Sequence, residues 1–150
     1  MSLTGLYGEP LEYVGDLLTA SDAFSSLSPT SDVRYYSWPA TDTIAAGDGW
    51  AALRYPQDGH RMTRGTAGSG SAAYGFTRLI EVTLTQAVAE LTDSARSAFL
   101  NLVSDIVSDV LAADDDGMIA SLTLRDVAED STEEFPLIGA TLRIELGISV

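Results

Sequence analysis

The sequence contains no cysteine and no lysine, and each absence excludes a class of function. Without cysteine there is no disulfide, no thiolate nucleophile and no cysteine-ligated metal, and we expect folding in a reducing cytoplasm. Without lysine there is no Walker phosphate loop, no Schiff-base chemistry and no lysine-rich grip on nucleic acid. We recognise no signal segment and no apolar run approaching the roughly 20 residues of a membrane helix, so we expect a soluble protein.

The charge balance is strongly acidic. The chain has 22 acidic and 8 basic residues, a formal net charge of -14, and every basic residue is an arginine. Attraction to a phosphate backbone is therefore not expected as its main binding mode. The missing lysine has two explanations that stay open: a GC-rich genome, or a preference for planar, bidentate arginine in protein contacts.

One long helix is predicted from Asp93 to Leu111. Thr92 or Asp93 can cap its start, and Gly117 follows its end. Its apolar residues recur at the spacing that forms one stripe on a helix: Ala95, Ala98, Phe99, Leu102, Val103, Ile106, Val107, Val110 and Leu111. We interpret this one-sided helix as a scaffold that lies on a sheet, and the acidic run 114–116 as a solvated turn, because its spacing does not match a calcium loop.

The remaining periodicity predicts a short N-terminal helix that begins at Glu9 and Pro10, with proline in its first position. The predicted strands are Val33 to Trp38, Trp50 to Tyr55, Phe76 to Thr85, Met118 to Leu124 and Ile138 to Ile148. An acidic connection, 125–134, is expected before the last strand. That strand alternates most cleanly, with Thr141, Arg143 and Glu145 on its wet face, and it is a candidate exposed edge.

These elements predict the α+β class. We expect a single domain over residues 1–150, with a mostly antiparallel sheet of four to five strands. The long amphipathic helix and the short N-terminal helix are expected to pack on one face of this sheet.

A Gly- and Ser-rich segment at about 56–75 shows no apolar periodicity, and we predict a long loop there. It carries His60, Arg61 and Arg64, the one locally basic stretch of the chain. Two interpretations stay open: a flexible surface loop, or an arm that becomes ordered against a partner subunit.

The sequence contains no motif that supports a catalytic or ligand-binding site. The letters from Gly68 to Ala73 match a dinucleotide fingerprint, but they are expected in a loop that a strand follows, where no helix N-terminus holds a pyrophosphate. His60 is a lone histidine without an orienting neighbour. Trp38 and Trp50 are interpreted as core or interface residues rather than a stacking platform. No catalytic residue, cofactor or metal site is predicted.

The layout resembles a known family. It combines an N-terminal helix, a Tyr- and Trp-bearing strand ending at Pro39, a long loop, a strand with Arg78, Ile80 and Val82, one long helix and two closing strands joined by an acidic connection. From about Glu9 to Val150 this resembles the tail terminator and tail-completion proteins of long-tailed bacteriophages.

The resemblance implies a non-enzymatic virion protein of the tail or neck, assembled in the host cytoplasm. It implies a ring, usually a hexamer, that caps the tail tube, joins it to the head and lets DNA pass without binding it specifically. His60, Arg61 and Arg64, and then Arg143 and Glu145, are the predicted subunit or tube contacts. The alternatives are a head-completion or neck connector protein, and a small cytoplasmic enzyme or ligand-binding domain that uses His60 and nearby carboxylates.

Overall fold

The computed structural model describes residues 5–35, 44–56, 60–65, 73–132 and 134–149. In chain order its elements are α1 Gly5–Thr19, α2 Asp22–Leu27, β1 Val33–Tyr35, β2 Gly49–Arg54, β3 His60–Gly65, β4 Ala73–Ala87, α3 Asp93–Ala113, β5 Ile119–Asp130 and β6 Leu137–Ser149. The predicted α+β class is confirmed. Within the described residues no helix is long and apolar enough to cross a membrane.

The strands form one sheet in the order β1-β2-β4-β6-β5, and β3 pairs with β4 beside this path. β1 and β2 run parallel, and the other described pairs are antiparallel. The sheet has six strands rather than the predicted four to five, because His60–Gly65 pairs with Ala73 to Arg78 of β4. This pairing lies inside the predicted loop at 56–75, of which residues 57–59 and 66–72 lie outside the described residues.

Two expectations about the end of the sheet are wrong. β6 lies between β4 and β5, so β5 rather than the last strand forms the edge. β5 also continues to Asp130, through most of the segment that was expected to be an acidic connection. The second half of β5 is exposed along its whole length. Because neither of its faces is buried, its sequence lacks the alternation of apolar and polar residues that would indicate a strand.

The helices cover one face of the sheet. The predicted stripe of α3 is confirmed for Phe99, Val103, Ile106 and Val110, which are buried, whereas Ala98 and Leu111, also assigned to it, are exposed. The Thr92 side chain caps α3 and accepts from the Ala95 N–H at 3.1 Å. α1 begins at Gly5, so Pro10 lies inside that helix and not at its first position as predicted.

The core lies between the helices and one face of the long strands. Ile80, Val82 and Leu84, which alternate along β4, are fully buried, as are their neighbours on β6. Buried core residues of these two strands and of the helices are Ile138, Ala140, Leu142, Ile144, Leu146, Leu11, Val14, Leu18, Phe24, Leu27 and Phe99. Burial of each large side chain contributes about 1.5–3 kcal/mol relative to its exposed state.

Gly49 shows how tightly the helical layer is fitted to the sheet. A Cβ atom at this position would lie 2.0 Å from the backbone oxygen of Leu27, at the end of α2. Backbone atoms cannot yield in the way that a flexible side chain can, so this first residue of β2 has to be glycine.

Asp114 links the end of α3 to α1 and β5. Its carboxylate accepts a hydrogen bond from the Tyr13 hydroxyl, and its two oxygens accept from the Met118 and Ile119 N–H groups at 3.0 and 2.9 Å. Burial alone would raise the pKa of Asp114, but the hydrogen bonds from Tyr13 and the two backbone groups outweigh it and lower this pKa. Asp114 is thus a structural residue, whereas Asp115 and Asp116 are exposed as expected of a solvated turn.

We expect Tyr13→Phe to lower the free energy of unfolding by about 1 kcal/mol at neutral pH, because the carboxylate of Asp114 loses one donor. The pKa of Asp114 is lower in the folded state, so its contribution is complete above the unfolded value of about 4 and is lost as the pH falls through the folded value. The difference between wild type and variant should therefore shrink in urea denaturation below about pH 4. Asp116→Asn, at the same turn, should show little change at any pH, and an undiminished Tyr13→Phe difference at pH 3 would contradict the account.

Candidate functional site

The face of the sheet opposite the helices, the outer face, carries a row of charged residues. Arg54 of β2 lies directly opposite Glu81 of β4, and Glu81 lies directly opposite Arg143 of β6. Residues directly opposite each other on neighbouring strands project from the same face. Since Ile80 and Val82 point into the core, these three side chains lie on the outer face.

Glu81 is the centre of this row. It is 5% exposed, although it lies on the face without helices, because arginine side chains surround it. Arg54 Nη2 donates to Glu81 Oε1 at 3.0 Å, and Arg125 Nη1 donates to Oε2 at 3.1 Å. Arg143 Nε lies 3.6 Å from Oε2, too far for a hydrogen bond. Burial of a carboxylate costs free energy unless the carboxylate is paired, and here three guanidinium groups surround the carboxylate of Glu81.

Arg125 lies at a bulge in the edge strand, on the same face as Thr123, which is opposite Arg143. Leu124 pairs with Leu142, and the next paired residue of β5, Asp126, pairs with Thr141, so Arg125 is left without an opposite residue. Arg125 thus adds a third arginine, from β5, to the row formed by β2, β4 and β6.

Together these residues line an open groove, the arginine groove, of about 690 Å³. Its lining residues are Arg54, Tyr55, Pro56, Glu81, Arg125, Asp126, Thr141 and Arg143. Three guanidinium groups face two carboxylates, a local charge of +1 in a chain whose net charge is -14. Arg143 Nε is buried and makes no hydrogen bond, while the Arg54 and Arg125 side chains are 56% and 51% exposed. The groove therefore has N–H donors left for a carboxylate or another planar anion.

The structure assigns different positions to the predicted contact residues. Arg143 is part of the arginine groove. Glu145 also lies on β6 but accepts from Ser121 Oγ at 3.3 Å and does not line the groove. His60, Arg61 and Arg64 lie on β3, opposite residues of β4, and their side chains lie outside the described residues.

Sequence reasoning missed Arg54, Glu81 and Arg125 as members of this site. Glu81 alternates with the apolar Ile80 and Val82, and this alternation is consistent with its position on the outer face. The alternation does not indicate that Arg54 and Arg125 lie beside Glu81. These arginines belong to other strands of the sheet, and only the pairing of those strands brings them close to it. The bulge at Arg125 has no signal in the sequence.

A second groove, the acidic groove, lies in the helical layer between α2 and α3. It has a volume of about 360 Å³, and its lining residues are Asp22, Ala23, Ser26, Leu102, Asp105, Ser108 and Asp109. Asp109 is held in place by Ser21 Oγ, which donates to its Oδ2 at 2.6 Å. Asp22 and Asp105 are exposed, so their carboxylates are open to solvent.

Other candidates for chemistry find structural roles or lie outside the described residues. Trp50 is 6% exposed, and the Arg34 guanidinium stacks 4.7 Å from the centre of its ring, an arrangement of packing and cation–π contact. Trp38 and residues 68–72 of the glycine-rich motif lie outside the described residues. In the part of the chain that the structure describes, no three His, Asp or Glu residues are grouped to hold a metal ion.

Comparison with known proteins gives structural similarities but no match to a family model or a curated sequence. A chain in a solved structure titled "Virion of native gene transfer agent (GTA) particle" is similar at 13% identity and a TM-score of 0.39. The alignment covers 90% of this chain and 92% of that chain.

We expect Glu81→Gln to lower the free energy of unfolding by about 1–3 kcal/mol, because the three arginines lose their central negative charge. The matched control is Glu129→Gln, which makes the same change in the exposed ion pair with Arg96 and should have a much smaller effect. Urea denaturation of both variants at neutral pH measures the difference. Equal effects of the two substitutions would show that Glu81 does not organise the outer face.

Proposed function

We propose that the chain is a non-enzymatic structural protein of a tailed-phage virion, a ring-forming tail terminator that caps the tail tube and joins it to the head. The proposal combines the resemblance in element layout with the uncovered parts of the sheet. Among the described residues, the helices lie on one side of the six strands, and no described element covers the opposite sheet face or the long β5 edge, which other subunits could contact.

The edge strand β5 is the observation that carries an assembly role. It spans 12 residues at the border of the sheet, so one side of its backbone has no partner strand among the described elements. Leu124 and Val127 on this strand are 49% and 42% exposed. Long edges with apolar side chains associate with other chains unless they are covered, and a neighbouring subunit in a ring would cover this one.

The basic strand β3 is the proposed contact with the tail tube or the next subunit. β3 and β2 pair in succession along the same edge of β4, with β3 at its first half and β2 at its second. His60, Arg61 and Arg64 are therefore placed at one end of the sheet, away from the β5 edge. An acidic tube surface would attract these arginines.

The net charge suits a ring through which DNA passes. Each subunit carries a formal charge of -14, so a ring multiplies this charge by the number of its subunits. A channel of this sign repels the phosphate backbone and lets it slide without adhering.

The proposal predicts that the purified protein forms rings and limits the growth of tail tubes. The experiment polymerises the matching tail-tube protein with and without this protein and measures tube lengths by negative-stain electron microscopy. We expect shorter tubes that bear a ring at one end, because a cap blocks addition of the next tube subunit. Heat-denatured protein serves as the control.

Two outcomes would contradict the proposal. Unchanged tube lengths, with rings bound to head-neck proteins instead, would favour a head-completion or neck connector role. A protein that remains monomeric at high concentration, with and without tube protein, would argue against a ring of either kind.

A further inference from the structure

The arginine groove and the acidic groove form a complementary pair on different layers of the same chain. The first lies on the outer face of the sheet and holds three arginines, and the second lies in the helical layer and holds three aspartates. No arginine lines the acidic groove. Within one subunit the sheet separates the two grooves, so they can meet only between subunits.

The arginine groove has donors that its own carboxylates do not use. Glu81 pairs directly with Arg54 and Arg125, while the buried Nε of Arg143 makes no hydrogen bond. That Nε is inaccessible and faces Glu81, so the donors open to an incoming carboxylate belong to the exposed Arg54 and Arg125 side chains. Arg54 and Arg125, both about half exposed, can hold such a carboxylate in bidentate geometry.

The acidic groove has carboxylates of the matching kind. Asp105 projects from the exposed side of α3, one helical turn before Asp109, and Asp22 lies across the groove at the start of α2. Asp109 is fixed by Ser21, so Asp105 and Asp22 are the carboxylates left to reach a partner. They stand on helices that are anchored in the core and therefore lose little conformational freedom when they bind.

We propose that the arginine groove of one subunit binds the acidic groove of the next, with Asp105 as the main carboxylate that enters it. This inference rests on the proposed ring and names the contact that builds it. The occupant is a second copy of this chain, because the acidic groove presents exposed carboxylates to the exposed guanidinium groups of the arginine groove.

The position of the two grooves determines the kind of assembly. A contact between two different surfaces of the same subunit is heterologous, so each subunit binds one neighbour through its groove and another through its helices. Such contacts close into rings when the rotation per subunit allows it. Two-fold dimers, in which the same patch meets itself, are not expected from this pair of surfaces.

The test reverses charge on each side separately and then combines the two variants. Arg125→Glu places a negative charge in the arginine groove, and Asp105→Arg places a positive charge in the acidic groove. Each variant alone should raise the dissociation constant of self-association on the order of 10-fold to 100-fold, measured by analytical ultracentrifugation. Asp116→Arg makes the same change of charge as Asp105→Arg in an exposed turn outside both grooves and should assemble like wild type.

An equimolar mixture of Arg125→Glu and Asp105→Arg should recover assembly. When the two variants alternate around the ring, every contact is complementary. The altered arginine groove of Arg125→Glu meets the altered acidic groove of Asp105→Arg, and the native arginine groove of Asp105→Arg meets the native acidic groove of Arg125→Glu. Circular dichroism verifies that each variant is folded. Arg125→Gln and Asp105→Asn replace any variant that is not, with weaker assembly expected from each alone.

The outcomes separate this inference from the proposed function. Wild-type rings together with single variants that assemble equally well would overturn the groove contact and leave the ring intact. Folded variants that fail alone and also fail when mixed would overturn the pairing of these two grooves. Binding of duplex DNA that is lost in Arg125→Glu would overturn it in favour of a phosphate ligand. A wild-type protein that never assembles would refute the proposed ring and this contact together.

Discussion

The structure depends on the pairing of β4 with β6. β6 pairs with β4 along all 13 of its residues, from Ser149 opposite Gly75 to Leu137 opposite Ala87. This ladder fixes two faces at once: Ile80, Val82 and Leu84 of β4 and their aliphatic partners on β6 project from one face, and Glu81, Thr83, Thr141 and Arg143 from the other. The stripe of α3 packs against the first face, and α1 and α2 complete that layer. The chain has no described element that covers the second face, so that face is available to a partner.

The same register creates the arginine groove. Because Glu81 lies between Arg54 and Arg143 in the ladder, one carboxylate is shared among strands that are distant in the sequence, and β5 adds Arg125. In a chain with only 8 arginines and 22 acidic residues, this local excess of positive charge is the feature on which the proposed contact between subunits rests. Stability and association thus use the same side chains, since the arginines that shield Glu81 also present donors to a neighbour.

The sequence predicted those parts of the fold whose residues alternate between water and the core. α3 and the faces of β4 and β6 follow from their periodicity, and Thr92 was recognisable as a cap. β3 was missed because it is rich in polar residues and glycine, and the second half of β5 because an exposed edge has no buried face to mark it. The order of strands was misjudged for the last strand, whose position in the chain carries no information on its neighbours in the sheet. Arg143 was identified from its wet face, whereas Arg54, Glu81 and Arg125 depend on pairing that only tertiary structure provides.

The central claim is that function resides in the surfaces that the helices leave uncovered, the outer face and the β5 edge. An electron cryomicroscopy reconstruction of the assembled protein tests this claim most directly, because it shows which surfaces meet. The account predicts a closed ring in which Arg54, Arg125 and Arg143 lie against the helical layer of the adjacent subunit. A ring whose subunits touch only through their helices, with the outer face and the β5 edge both open to solvent, would contradict it.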